Sequence, residues 1–128
     1  MSEESDWLAF AHEDLRVAEW ALSAKIYNQA CFHAQQCVEK VLKAWLRDLG
    51  TLPPRTHPLS LLLALLPDEV LADLRLEITF LDRFYIPTRY PDAVAGALPN
   101  GLPDETDAQE AVDVARAVFR RGKRQIRS

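Results

Sequence analysis

The segment from Tyr27 to Gly50 constrains the fold most, because it predicts one long helix with two chemically different faces. At about 100° per residue, the helical period collects apolar residues into one broad arc. Its members are Ala30, Ala34, Cys37, Val38, Val41, Leu42, Trp45 and Leu49. An arc of this width requires a core on that side, so further elements must pack around this helix.

The flank of the same helix carries hydrogen-bonding and cationic side chains. They recur at spacings of three and four residues: Gln29, His33, Gln36, Lys40, Lys43 and Arg47. Residues at these spacings are neighbours along one edge of a helix. We therefore expect this edge to hold an anion, with His33, Lys40 and Lys43 as its phosphate-binding residues.

Composition favours a single domain over residues 1–128. The chain is 48% hydrophobic, which is enough to bury a core without disulfides or metal. We place the core at about 6–121 and a fraying basic tail at 122–128. The sequence lacks the alternating runs of β-branched residues that strands need. These features predict an all-α fold, an antiparallel up-and-down bundle of four or five helices.

The prolines lie only between positions 53 and 103, which leaves both ends of the chain free for long helices. Helix boundaries follow from capping signals and breakers. Besides the segment above, we expect helices from about Asp6 to Ser23, Thr56 to Leu66, Glu69 to Tyr85, and from a capping box at Thr106 onward.

Several functional classes are excluded by the residues present. The three histidines and two cysteines have no metal-ligand spacing, and no glycine-rich phosphate loop or serine elbow occurs. No metal or cofactor is therefore predicted. Cys31 and Cys37 are expected to be reduced core thiols. With no targeting segment or long apolar run, the expected location is the cytoplasm, without membrane contact.

Three residues suggest contact between subunits, and a homodimer is expected. Trp20 falls to one side of the first helix's apolar stripe, as a lateral core residue or as part of a subunit contact. Phe32 and Leu46 project in nearly the same direction from the exposed side of the second helix. They are either a dimer interface or ordinary exposed residues.

The loop from Ile86 to Asp104 is long for a bundle of this size, which is typical of functional or mobile loops. The Arg89 guanidinium can bind phosphate through two parallel hydrogen bonds, and Tyr90 can stack on a base. The alternative is that Arg89 pairs with Asp82 or Asp92 and fastens the loop to the bundle.

Three segments together resemble the HEPN domain family. They are the run from Phe32 to Ala44, Thr56-His57-Pro58-Leu59 with the leucine-rich turn that follows it, and Arg89-Tyr90-Pro91-Asp92. Their order and spacing cover about residues 6–121. The resemblance implies a small helical protein that binds nucleotides or cleaves RNA.

Many HEPN proteins are metal-independent ribonucleases with an Arg-x4-6-His motif, in which His transfers protons and Arg stabilises the phosphorane. No arginine lies at the required distance before His12, His33 or His57, and no histidine follows Arg89. The strict motif is absent. A degenerate site made from Arg89, Tyr90 and a histidine of another segment or subunit stays open, with Arg89 and His57 as its candidate catalytic residues. His57 is also placed to cap the third helix.

The Arg-Tyr-Pro-Asp sequence looks more like the HEPN branch encoded beside small nucleotidyltransferases. That resemblance implies a helical partner subunit, in a two-component and potentially toxin–antitoxin system, that binds ATP or GTP through Arg89, Tyr90 and Asp92. The alternative is a divergent, dimeric ribonuclease toxin acting on RNA.

Overall fold

The computed structural model describes residues 2–84 and 102–126. Within these ranges the chain forms five α-helices and no strand, and the helices pack antiparallel, which confirms the predicted all-α fold. They are α1 (Glu3–Ser23), α2 (Tyr27–Asp48), α3 (Leu59–Ala64), α4 (Arg75–Phe80) and α5 (Glu105–Gln125). None of the helices in the described ranges has the length and hydropathy needed to cross a membrane.

Helix α1 begins earlier than predicted. The side chain of Ser2 caps it by accepting a hydrogen bond of 3.1 Å from the Ser5 amide, so Asp6 lies within the first turn and is not the cap. The acids of that turn are favourable next to the positive end of the helix dipole. A short link containing Lys25, in the left-handed region at φ 64°, then leads into α2.

Helix α2 is the centre of the bundle and packs against both α1 and α5. Seven of the eight residues of the predicted apolar arc are buried, whereas Leu49, beyond the last turn, is half exposed. Gly50 follows with φ 85°, a conformation that favours glycine and reverses the chain. Leu46, predicted to be exposed with Phe32, is instead buried, so the pair does not form an exposed patch.

The prediction of one helix from Glu69 to Tyr85 is wrong over the first half of that range. The chain turns at Leu71, which is buried in the left-handed region at φ 55°, and continues as a 3-10 helix, α4 and a second 3-10 helix that ends at Phe84. The Arg75 side chain donates hydrogen bonds to the carbonyls of Leu63, Pro67 and Val70, which fixes this compact turn.

Helix α5 differs from its predicted limits at both ends. Its capping box joins Asp104 and Asp107, so its start lies before Thr106. At the other end the helix continues to Gln125, and Ile126 is buried, so ordered packing extends past residue 121. Gly122 lies against α2, where a Cβ would come within 2.6 Å of Val41 Cγ1.

Replacing Gly122 with Val is expected to destabilise the protein by about 2 kcal/mol, because the added carbons overlap Val41 in a filled core. Urea unfolding measures the change. The matched control is Gln125→Val, which introduces the same side chain at an exposed position of the same helix. Equal stability of the two variants would contradict the close approach of α5 to α2.

The two cysteines are separate, buried thiols, as expected from their positions on α2. Burial raises the pKa of Cys31 to about 12 and that of Cys37 further still. Both thiols therefore stay protonated at pH 8, and only the thiolate is nucleophilic.

Neither cysteine of the folded protein is expected to react with a thiol-specific disulfide reagent at pH 8 within minutes, while both react in denaturant. Absorbance of the released thiolate measures the reaction. Rapid modification under native conditions would show that α2 is not buried as described.

Candidate functional site

The polar edge of α2 forms two clusters, each built around one carboxylate. In the first, Asp14 of α1 accepts from two residues of α2. His33 Nδ1 lies 2.9 Å from Asp14 Oδ1, and Lys40 Nζ donates to Asp14 Oδ2. Asp14 is only 9% exposed, whereas His33 and Lys40 are partly accessible. An ionised carboxylate only accepts, so Nδ1 carries the proton and Nε2 faces away from Asp14.

The second cluster surrounds Glu39 of α2, which is 4% exposed. Its Oε2 atom accepts from Lys43 Nζ at 3.1 Å and lies 3.1 Å from His57 Nδ1. Lys43 is buried as well, and its ammonium lies 5.6 Å from the centre of the Trp7 ring. The His57 side chain is half exposed, so a buried ion pair orients an accessible imidazole.

Two glutamines link the clusters. Gln36 follows His33 by three residues and precedes Glu39 by three, so it lies between them on the helix surface. Its amide donates to Gln35 Oε1 at 2.7 Å, and Gln35 donates to the His57 carbonyl at 3.5 Å. The edge is therefore a polar strip along α2 that also includes residues of α1 and of the segment before α3.

The charges of this strip are largely balanced internally. Each cluster contains one carboxylate and one lysine, so with neutral histidines neither has a net positive charge. Lys43 is in addition almost inaccessible to a ligand. The strip offers oriented imidazoles for hydrogen bonding and proton transfer, and binding a phosphate strongly would require a further cation.

The predicted site residues are placed as follows. His33 and Lys40 meet at Asp14, while Lys43 and His57 meet at Glu39. The three loop residues Arg89, Tyr90 and Asp92 lie outside the described residues, so the prediction for them stays a prediction. Within the described ranges, no group of His, Cys, Asp and Glu side chains is arranged to hold a metal ion.

Sequence reasoning missed the residues that organise the strip, Asp14 and Glu39. A signal existed for Asp14, because it lies within the apolar stripe of α1, beside Leu15 and one turn from Ala11 and Ala18. A carboxylate is rarely buried there without a partner. The capping role predicted for His57 belongs to a different residue. Asp82 accepts hydrogen bonds from the backbone amides of Leu59 and Ser60 at the start of α3.

The described residues thus form a small all-helical bundle with a polar strip on its central helix. The chain matches the HEPN domain family over residues 4–125, nearly its whole length, and it belongs to that family.

Individual relatives agree with this assignment. The chain is 34% identical to a Methanocaldococcus jannaschii protein named "Putative toxin MJ1304" over 120 residues, which cover 85% of this chain and 78% of that one. The crystal structure of TT1696 from Thermus thermophilus is similar with a TM-score of 0.84 and 36% identity, covering 98% of this chain and 100% of the other. The crystal structure of ST0689, an archaeal HEPN homologue, is similar with a TM-score of 0.76 and 37% identity, covering 99% of this chain and 100% of the other.

Proposed function

We propose that this protein is the helical component of a two-component toxin–antitoxin system whose other component is a small nucleotidyltransferase. The toxin role rests on the similarity to the M. jannaschii relative, which extends over most of both chains. That relative is named "Putative toxin MJ1304", and the HEPN domain match spans nearly all of this chain. The nucleotidyltransferase partner rests on the resemblance of Arg89-Tyr90-Pro91-Asp92 to the HEPN branch encoded beside such enzymes.

In this proposal the nucleotide is bound by the polar strip together with Arg89, Tyr90 and Asp92. The strip supplies hydrogen-bonding imidazoles but little net charge, because Lys40 and Lys43 are already paired with carboxylates. Arg89 supplies further positive charge for the phosphates, and Tyr90 the surface for the base. The partner supplies the metal-binding carboxylates and transfers the nucleotidyl group.

Induced expression of the chain in a bacterial host is expected to stop growth, and co-expression of the nucleotidyltransferase encoded beside it is expected to restore growth. A transferase variant that lacks its metal-binding carboxylates serves as the control, because it keeps the fold but cannot transfer a nucleotide. Normal growth with the chain alone, at a confirmed expression level, would contradict the toxin role.

Tyr90 is a candidate acceptor of the nucleotide. In this step the Tyr90 hydroxyl oxygen bonds to the α-phosphorus of ATP, loses its proton, and pyrophosphate leaves. Intact-mass spectrometry after incubation with the transferase and ATP is expected to show an added nucleotidyl group, and Tyr90→Phe is expected to abolish it. An unchanged mass would eliminate tyrosine modification while leaving nucleotide binding open to a separate titration.

A second candidate function is supported by the His57–Glu39 contact. A buried carboxylate that holds one ring nitrogen of an accessible histidine is the arrangement used to orient a general base. Such a residue could assist metal-independent cleavage of RNA despite the missing Arg-x4-6-His motif.

If the protein cleaves RNA, cleavage is expected to persist in EDTA and to fall by about 100-fold or more in His57→Ala, the typical contribution of a general base. The matched control is His12→Ala, which removes an exposed histidine that stacks on Phe119 and has no part in the strip. Equal loss in both variants would indicate a contaminating nuclease or a general folding defect.

A further inference from the structure

The outer face of α1 carries three large apolar side chains that the bundle does not cover. Trp20 is 63% exposed, Phe10 54% and Val17 41%, so the alternative of a lateral core position for Trp20 is wrong. With Glu13, they occupy positions 10, 13, 17 and 20, spaced alternately by three and four residues. This spacing places side chains along a seam that suits packing against another helix.

A hollow lies at one end of the seam. It has a volume of about 200 Å³ and is lined by Glu3, Asp6, Trp7 and Phe10. Trp20 projects at the other end, ten residues or about 15 Å from Phe10 along the helix. One face of α1 therefore contains both a large aromatic side chain and an apolar hollow next to an aromatic ring.

This face of α1 also carries one acidic and one basic residue, so it can form ion pairs with a second copy of itself. Glu13 and Arg16 are both exposed, and neither forms an ion pair with another described residue. They lie on either side of the midpoint between Phe10 and Trp20. In an antiparallel pair of α1 helices, Phe10 faces Trp20 of the second copy, Glu13 faces its Val17, and Glu13 lies beside its Arg16.

We propose that α1 is the site at which two copies of this chain associate, in an antiparallel α1–α1 interface related by a two-fold axis. Trp20 of each copy packs against the Trp7–Phe10 hollow of the other, and two Glu13–Arg16 ion pairs flank the axis. Such an interface is self-complementary, as a two-fold contact must be. Its apolar centre comprises a few side chains, so micromolar affinity is expected.

Sedimentation velocity of the full chain at about 10–200 μM tests the interface. The unaltered protein is expected to dimerise, and Trp20→Ala is expected to raise the dimer dissociation constant by about 30-fold or more, the usual effect of removing an interfacial tryptophan. Leu76→Ala is the control, since Leu76 is 84% exposed on α4, away from this face. A monomer at all concentrations would overturn the proposal, as would dimerisation unaffected by Trp20→Ala.

A charge exchange gives a sharper test. In a dimer of Glu13→Arg, two cations meet in each flanking pair, and in a dimer of Arg16→Glu, two anions meet. Each variant alone is therefore expected to dimerise weakly. A one-to-one mixture of the two restores opposite charges in both flanking pairs and removes the excess of like charge that each variant has by itself. The mixture is therefore expected to associate more tightly than either variant alone. Two weakly associating variants whose mixture gains nothing would overturn the α1–α1 geometry, and unchanged self-association of both would do the same. Glu110→Arg, on α5, controls for net charge.

Discussion

Replacing Glu39 with Leu is expected to destabilise the protein by about 3–5 kcal/mol, the range typical of breaking a buried ion pair by removing one partner. Glu39 and Lys43 are both buried, and they form a direct hydrogen bond of 3.1 Å. Removing the carboxylate leaves the Lys43 ammonium in a low-dielectric environment beside the Trp7 ring, without its counter-charge. His57 loses its contact with Glu39 at the same time.

The double variant Glu39→Leu/Lys43→Met is expected to recover most of this loss. Buried ion pairs contribute little net stability over apolar residues of similar volume, because desolvation offsets the attraction between the charges. Urea unfolding followed by circular dichroism measures both variants. Glu110→Leu, an exposed acid on α5, is the control and is expected to change stability by less than about 0.5 kcal/mol.

A double variant as unstable as Glu39→Leu would show that Glu39 contributes through contacts other than Lys43. A single variant as stable as the unaltered protein would contradict the buried position of the pair. If the double variant is stable but no longer binds a nucleotide or cleaves RNA, the pair is retained to orient His57 for function.

Replacing Arg89 with Ala is expected to weaken nucleotide binding by roughly 10- to 100-fold, the range expected for losing charged hydrogen bonds to phosphate. The reason lies in the polar strip, where Lys40 and Lys43 are already paired with Asp14 and Glu39. In the proposed site, Arg89 is the cation expected to bind the phosphates. Isothermal titration with ATP and GTP measures the change.

Arg55→Ala is the matched control for Arg89→Ala, because Arg55 is an exposed arginine in the segment between α2 and α3. The control is expected to bind like the unaltered protein. Equal affinity in Arg89→Ala and the unaltered protein would place the phosphates elsewhere and remove the main support for the loop as part of the site.

The fold was predictable because the strongest signals are local and repeated. The apolar arc of α2 continues for about five turns, and the positions of the prolines leave the long helices uninterrupted. The segment after α3 was not predictable in this way. Leu74, Ile78 and Leu81 have helical spacing, but the turn at Leu71 depends on Arg75 binding carbonyls from three separate positions. Such tertiary contacts have no local sequence pattern.

The site was predictable only in part for a related reason. Spacing alone brought His33, Lys40 and Lys43 to one edge of α2, but it could not show which groups they would contact. Asp14 reaches His33 from another helix, and His57 reaches Glu39 from the segment before α3. An edge predicted to bind anions proved to be one in which the lysines are already paired with carboxylates of the chain itself.

The association with a nucleotidyltransferase is tested most directly by co-expressing a tagged chain with the small nucleotidyltransferase encoded beside it, purifying through the tag and measuring the mass of the eluted species by light scattering. The proposed function predicts that the two proteins elute together at a fixed ratio. Elution of the tagged chain alone, with the transferase soluble but unbound, would contradict it.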